Sequence, residues 1–314
     1  KYMRLHYHFD VPEDKKVRVV VDTDAKNEAD DQFAIVQAIL TPKFRLEGIV
    51  AAHYKAGFAA QYGGAPVKDS MMQSYAEVEK ILDLMNVKNE IPHFKGCKVP
   101  AGEGWEEAEG VDFIIDRAMA EDSILHLIVL GPLTNVAAAL KKEPRIEKKI
   151  HVVWIGGGPY PYGENEFNLC NDIEAANFLF ASQVPIWQIT TQAYKNVRIG
   201  LAELEDKIRP CGKIGEYLCD QMIDLNNRTG WLSDWPKGES WPICDIAAVG
   251  LMIDEHEYLY ENHPAPFITQ DMHYIPQPNR RTIRVYESVD TRYIFEDLVA
   301  KLRIWYRAEK NSNP

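Results

Sequence analysis

A chain of 314 residues with 46% apolar and 11% aromatic side chains can bury a large core, which excludes disordered and fibrous classes. Its 35 Lys and Arg against 47 Asp and Glu leave a net charge of -12, a field that repels phosphate backbones and anionic lipid and argues against nucleic-acid and membrane-surface partners. No apolar run approaches the roughly 20 residues a membrane span needs.

The first element is Val17 to Val21, a short β-branched run suited to a parallel strand buried on both faces. An acidic loop follows. Phe33, Ile35, Val36, Ile39 and Leu40 then fall at helical spacing, Thr41-Pro42 stops that helix, and a second strand is expected near Phe44 to Val50. Helices are predicted over Gln73 to Met85 and Glu107 to Ala120, then a strand over Ile124 to Leu130. Gly131-Pro132 turns the chain into a helix that Thr134 is placed to cap. Strand His151 to Ile155 runs into Gly156-Gly157-Gly158, and Asp172 opens a helix leading to strand Val184 to Ile189. Beyond it come helical segments over Leu201 to Asn226, a tryptophan-rich loop from Trp231 to Trp241, a helix over Cys244 to Ile253, a strand over Arg281 to Glu287 and a closing helix near Phe295 to Tyr306.

This alternation predicts an α/β fold with a mainly parallel sheet flanked by helices. No internal repeat or linker interrupts it, so one domain over residues 1–314 is expected. Five cysteines (Cys97, Cys170, Cys211, Cys219, Cys244) are odd in number and lack a C-x-x-C pair, which predicts free thiols rather than disulfides or a zinc site. Unpaired thiols favour a cytoplasmic location; an exported chain with its leader removed is the alternative.

In open parallel sheets ligands bind beyond the carboxyl ends of strands. Four such ends are unusual here. The first carries Asp22, Asp24, Asp30 and Asp31 within one loop, a density of carboxylates that calls for a hard cation or a polyhydroxyl ligand. The plainer alternative is a solvated loop whose Asp30 and Asp31 favour a helix N-terminus. The second is Gly131-Pro132-Leu133-Thr134-Asn135, where a cap explains Thr134 as well as a carbonyl ligand does. The third joins the three glycines to Glu166-Phe167-Asn168, an extended segment whose carboxylate and amide suit sugar hydroxyls, or equally a turn before a capped helix. The fourth is Cys244-Asp245 at a helix start, where Asp245 caps the helix or supplies a metal oxygen.

Together these segments resemble the nucleoside hydrolase family of the inosine-uridine type. Its Asp-x-Asp…Asp-Asp motif is matched by Asp22, Asp24, Asp30 and Asp31, its Gly-Pro-Leu-Thr-Asn by residues 131–135, and its Glu-Phe-Asn…Asp-x-Glu-Ala-Ala by Glu166 to Asn168 and Asp172 to Ala176. The resemblance implies a Rossmann-like core, commonly in a homodimer or homotetramer, and Ca²⁺-dependent cleavage of a ribonucleoside or related riboside into base and ribose. It implies that Asp24, Asp31, Asp245 and the Thr134 carbonyl hold Ca²⁺, with Asp24 also the general base. Asp30, Glu166 and Asn168 then bind ribose, and Asp22 supports the loop from behind.

Five residues separate Asp24 from Asp30, where the family typically has three beginning Pro-Gly. His53 stands where the family often has Asn, either as its replacement in the pocket or as a satisfied surface histidine. Cys244 replaces a His that is a candidate acid for the leaving base, Gly102-Glu103-Gly104-Trp105 replaces a His-Gly-x-x-Gly segment, and Tyr160, Tyr162 and Asn165 stand in for an upstream Asn. Sugar recognition thus reads as retained and base recognition as rewritten. Trp231 and Trp235 offer aromatic faces for a planar base, with packing as their other use. Two further readings are a metal-dependent nucleoside- or sugar-binding protein without catalysis, and a phosphatase built on Asp22-Thr23-Asp24; the phosphatase lacks its Gly-Asp dipeptide.

Overall fold

The computed structural model of the chain describes residues 5, 7–54, 67–232, 236–255 and 258–312. Strand β1 (Val17–Thr23) is buried along nearly its whole length, as a β-branched run with a strand on each side must be. It pairs in parallel with β2 (Phe44–Ala51) on one side and β4 (Leu125–Val129) on the other. Strand β3 (His93–Lys95) extends the sheet beyond β2. Beyond β4 lie β5 (Ile150–Ile155), β6 (Ile186–Ile189) and β12 (Thr282–Tyr286), all parallel, before β9 (Tyr260–Pro264) closes that edge antiparallel. The eight strands run in the order 3-2-1-4-5-6-12-9.

The first six follow the doubly wound order, in which the connections reverse direction between β1 and β4. There the loops after two adjacent strands diverge and open a crevice at their carboxyl ends. One face of the sheet is covered by α1 (Asp31–Ile39), α2 (Ser70–Leu84), α9 (Gly212–Thr229), α10 (Ile246–Ile253) and α11 (Thr291–Ser312). The other is covered by α3 (Glu109–Ala120), α4 (Thr134–Lys142) and α6 (Ile173–Ala181). All nine residues of α1 are buried, which its apolar sequence permits because α10 and α11 enclose the side that the sheet leaves free. The short helices α5 (Phe167–Asn171), α7 (Thr191–Tyr194) and α8 (Leu201–Glu203) sit in loops, with two small antiparallel ribbons, β7 (Arg198–Gly200) with β8 (Ser240–Pro242) and β10 (Phe267–Ile268) with β11 (Tyr274–Ile275).

Two local expectations are corrected. Thr134 does not cap α4: it is the first helical residue, preceded by Leu133, and its hydroxyl is used elsewhere. Glu166 to Asn168 is not extended, because Glu166 itself caps α5 by accepting the Asn168 and Leu169 N–H groups. The helical stretch over 201–226 is broken into α8, a π-helical turn at Leu204–Ile208 and α9, with Pro210 and the left-handed Gly212 (φ +73°) at the break.

Across β4, β5 and β6 a polar row lies at the opposite end of the sheet from the crevice. His126 and His151 are cross-strand partners with their Nδ1 atoms 2.9 Å apart; Trp187 meets His151 edge-on, and the Arg284 guanidinium lies over Trp187. Burial pushes His126 down to about 4 and His151 to about 3; His126 and Arg284 also oppose a charge on His151. The unfolded chain therefore takes up these protons first, and stability is lost as pH falls from about 6.5 towards 3 to 4. His151→Phe is expected to lose on the order of 3 kcal/mol less than the parent between pH 7 and pH 4 in urea denaturation. Its packing cost cancels between the two pH values. Equal losses would contradict the assignment.

Candidate active site

Alternation along β1 sends Asp22 and Asp24 to one side and Thr23 to the other. Asp22 is buried under the crevice: Oδ2 accepts from Asn135 Nδ2 (2.9 Å), while Oδ1 has no hydrogen-bond partner among the described residues. Asp24 sits above it, where the loop turns back as Asn27 N–H donates to the Asp24 carbonyl (2.8 Å) and its amide to Oδ2 (3.1 Å). Gly131 packs so close that a Cβ there would lie 2.7 Å from Asp24 Cγ, which is why the chain leaving β4 needs glycine at this point.

The loop ends at α1. Asp30 occupies the N-cap position, but its side chain leaves α1 uncapped and instead accepts the Asp245 N–H at 3.4 Å. Asp31 accepts from Thr23 Oγ1 at 2.5 Å, and Asp31 and Asp245 share a hydrogen bond. Asp245 precedes α10, likewise without capping it. Two helix N-termini thus point their positive ends at one carboxylate cluster. Oxygens of Asp30, Asp31 and Asp245 all lie within 4.8 Å of one another.

The facing wall comes from the ends of β4, β5 and β6. Glu166 accepts from Gly157 N (2.7 Å), Asn168 N (3.2 Å), Leu169 N (2.8 Å) and the Tyr194 hydroxyl (2.8 Å), a set that fixes its carboxylate. Asn168 spends its NH₂ on the Leu130 and Ile155 carbonyls, tying the ends of β4 and β5 together. Between these walls is a cavity of about 40 Å³ lined by Asp24, Glu28, Asp30, Asp31, Glu166 and Asp245, with Asn27, Leu130, Ile155, Phe167, Asn168, Tyr194 and Cys244.

Burial and mutual repulsion hold these acids up. Burial raises Asp31 and Asp22 to about 7 and Asp30 to about 6, and lifts Asp24, Glu28 and Asp245 well above the usual carboxylate range. No Lys, Arg or His stands among the described lining residues to compensate. All the charged donors are hard oxygens, and the one thiol, Cys244, is pushed well up by burial and kept protonated. That donor set fits a hard divalent cation and not a soft one.

The structure therefore brings Asp24, Asp30, Asp31, Glu166, Asn168, Cys244 and Asp245 together, with Asp22 directly behind. Thr134 does not line the cavity. The Gly131-Pro132 turn carries it past the crevice, its hydroxyl donates to Asp172 Oδ2 (2.6 Å), and as the first residue of α4 its carbonyl points along that helix; Leu130 lines the wall instead. His53 is not a surface histidine: it is fully buried, with Nε2 2.8 Å from Thr134 Oγ1, and it does not line the cavity. Trp231 is 77% exposed, donates its indole N–H to the Arg228 carbonyl and is likewise absent from the lining. Trp235 lies outside the described residues. Sequence reasoning missed Asn27, Glu28 and Tyr194. The extra length between Asp24 and Asp30 signalled the first two, and the strand-end rule applied to β6 reaches the third.

A model of the inosine-uridine preferring nucleoside hydrolase family matches residues 19–296. The pyrimidine-specific ribonucleoside hydrolase RihB of Escherichia coli (strain SE11) is 30% identical over 259 residues, covering 76% of this chain and 79% of that one. Among solved structures, a purine-preferring ribonucleoside hydrolase from Gardnerella vaginalis superposes with a TM-score of 0.75 at 22% identity, covering 93% of this chain and 99% of that one. A plant nucleoside hydrolase gives 0.70 at 17% identity, covering 91% and 98%. These last two are likenesses of fold. The family match spans most of the chain, with its start inside β1 and its end within α11, and on that ground the chain belongs to the inosine-uridine preferring nucleoside hydrolases, enzymes that hydrolyse N-glycosyl bonds.

Proposed function

We propose that the chain cleaves the N-glycosidic bond of a ribonucleoside or related riboside, with Ca²⁺ as its cation, releasing free base and ribose. The observation that carries this is the convergence of Asp24, Asp30, Asp31 and Asp245 at the β1–β4 crevice, opposite Glu166 and Asn168. Asp24, Asp31 and Asp245 hold the cation with Asp30 beside them, and the carbonyl role that the resemblance gave Thr134 passes to Leu130. When bound, a hard divalent cation offsets carboxylate repulsion, eases deprotonation of water and aligns sugar hydroxyls.

Asp24 acts as the general base: its carboxylate faces the cavity, and burial raises its proton affinity towards the range a base needs. Glu166 and Asn168, both fixed by backbone contacts, bind ribose hydroxyls. The carboxylates that line the cavity stabilise the positive charge that builds at C1′ as the bond to the base lengthens. Assembly as a homodimer or homotetramer belongs to the same reading.

Incubation with purine and pyrimidine nucleosides is expected to release reducing sugar and free base in equal amounts. Saturable binding with neither product would favour a sugar-binding protein that no longer hydrolyses.

A further inference from the structure

The five residues between Asp24 and Asp30 have no helix or strand to hold them. Among the described residues, their one backbone–backbone hydrogen bond runs from the Asn27 N–H to the Asp24 carbonyl. The two ends of this loop, Ala25 and Ala29, are nevertheless buried, and a side-chain amide from a helix grips the carbonyl of each. Gln32 of α1 donates to the Ala25 carbonyl (2.6 Å), and Gln221 of α9 to the Ala29 carbonyl (2.7 Å).

Both grips lead back to Glu77 of α2, a carboxylate only 5% exposed. Its Oε1 accepts from the same Gln32 Nε2 (3.0 Å) and from the hydroxyl of Tyr217, which lies one turn before Gln221 on α9; its Oε2 pairs with Lys26 of the loop (3.2 Å). The Gln32 amide depends on this contact. Its Oε1 has no partner among the described residues, so its orientation is set by Nε2 alone, between the loop and Glu77. A flipped amide would turn its oxygen onto two other oxygens. The rest of the buried face of α2 includes Met71, Val78, Ile81 and Leu82. A carboxylate among them carries a desolvation cost that an apolar residue would avoid, and what it supplies is fixed geometry for three donors.

We propose that Glu77 is a positioning residue for Asp24, acting through the Gln32 amide on the loop that follows it. This rests on the hydrolase reading above, in which Asp24 takes a proton from water. Glu77 itself does not line the cavity. Asn27, in the middle of the loop, donates to Asp24 Oδ2 (3.1 Å), so the shape of the loop decides which oxygen of the base is occupied and which is left to the cavity. The other acids are held independently of Glu77: Asp31 accepts from Thr23 and bonds Asp245, and Glu166 is fixed on the opposite wall. Losing Glu77 therefore acts on turnover rather than on binding of the riboside or the cation.

The test measures kcat and KM for inosine and uridine, and Ca²⁺ affinity, on the full chain in the parent, Glu77→Met and Glu77→Gln. Methionine keeps the length of the side chain without an acceptor, whereas glutamine keeps one oxygen for Gln32 and Tyr217. Glu77→Met is expected to lower kcat by about 10-fold to 100-fold, the scale on which a small misplacement caused by a remote substitution acts, with KM and Ca²⁺ affinity close to the parent's. Glu77→Gln is expected to recover most of the lost kcat. A purely structural role would lower the melting temperature and leave kcat of the folded protein alone. That result overturns the proposal, as do equal losses in both variants or a loss of Ca²⁺ affinity in parallel with kcat. Where Glu77→Met does not fold, Gln32→Met severs the same link from the loop side: a kcat loss of the same size supports the proposal, and an unchanged kcat overturns it. If the parent hydrolyses no riboside, the hydrolase reading fails on its own. Hydrogen exchange then decides for Glu77: exchange about 10-fold faster at residues 25–29 of Glu77→Met, with β1 unchanged, supports its hold on the loop, and equal exchange refutes it.

Discussion

Asp24→Asn is expected to lower turnover by about 10³-fold or more, the scale on which a positioned general base contributes, while the protein stays folded. An amide has the shape of the carboxylate and keeps the contact with Asn27, but it cannot take a proton from water. Stability moves the other way. The folded-state affinity of Asp24 for its proton is raised, first by burial and then by Asp31, Glu28 and Asp30. Such a group stabilises the fold below the unfolded pKa of about 4 and loses that contribution as pH rises through the folded value. The cation-free Asn variant therefore melts at the same temperature as the parent near pH 4 and higher at pH 8. Full turnover by a folded Asp24→Asn protein would remove Asp24 as the base.

Asp245→Asn tests the cation site by a different quantity. Asp245, proposed to hold the cation and with an oxygen within 4.8 Å of those of Asp30 and Asp31, is a direct ligand, so its loss is expected to weaken Ca²⁺ binding at least as much as the roughly 100-fold that loss of an outer partner of a metal ligand can cost. At 100 times the dissociation constant a cation stabilises its protein by about 2.7 kcal/mol. The parent should therefore show a clear rise in melting temperature on adding Ca²⁺, and at the same concentration the variant should show almost none. Asp30, at about 6, and Asp31, at about 7, are raised by burial, so the cation-free parent loses stability as pH rises from about 4 through 7. The histidine pair acts in the opposite sense below about 6.5, so melts with and without Ca²⁺ are compared at one fixed pH. A cation-induced shift that survives in Asp245→Asn would move the site elsewhere.

The parallel core was legible because its strands are continuous β-branched runs with turn signals at their ends, as at Val17 to Val21 and Ile124 to Leu130. Strands such as Tyr260–Pro264 were not. That segment is polar and mostly exposed, and its membership of the sheet comes from pairing with β12 rather than from a pattern of its own. In the site, the acids could be read from their positions after strands, since the fold converts chain order into proximity at the crevice. Which neighbour of Gly131 faces the cavity could not, because Leu130 and Thr134 flank one tight turn and only its geometry separates them. His53 went astray for a related reason: an isolated histidine after a strand gives no sign that a buried Thr134–Asp172 chain waits for it.

Release of reducing sugar from inosine and uridine by the parent protein, first with excess chelator and then with Ca²⁺ restored, tests the central claim most directly. A carboxylate cluster that works through a hard cation predicts release that stops on chelation and returns with Ca²⁺. Release that continues undiminished in chelator would contradict it.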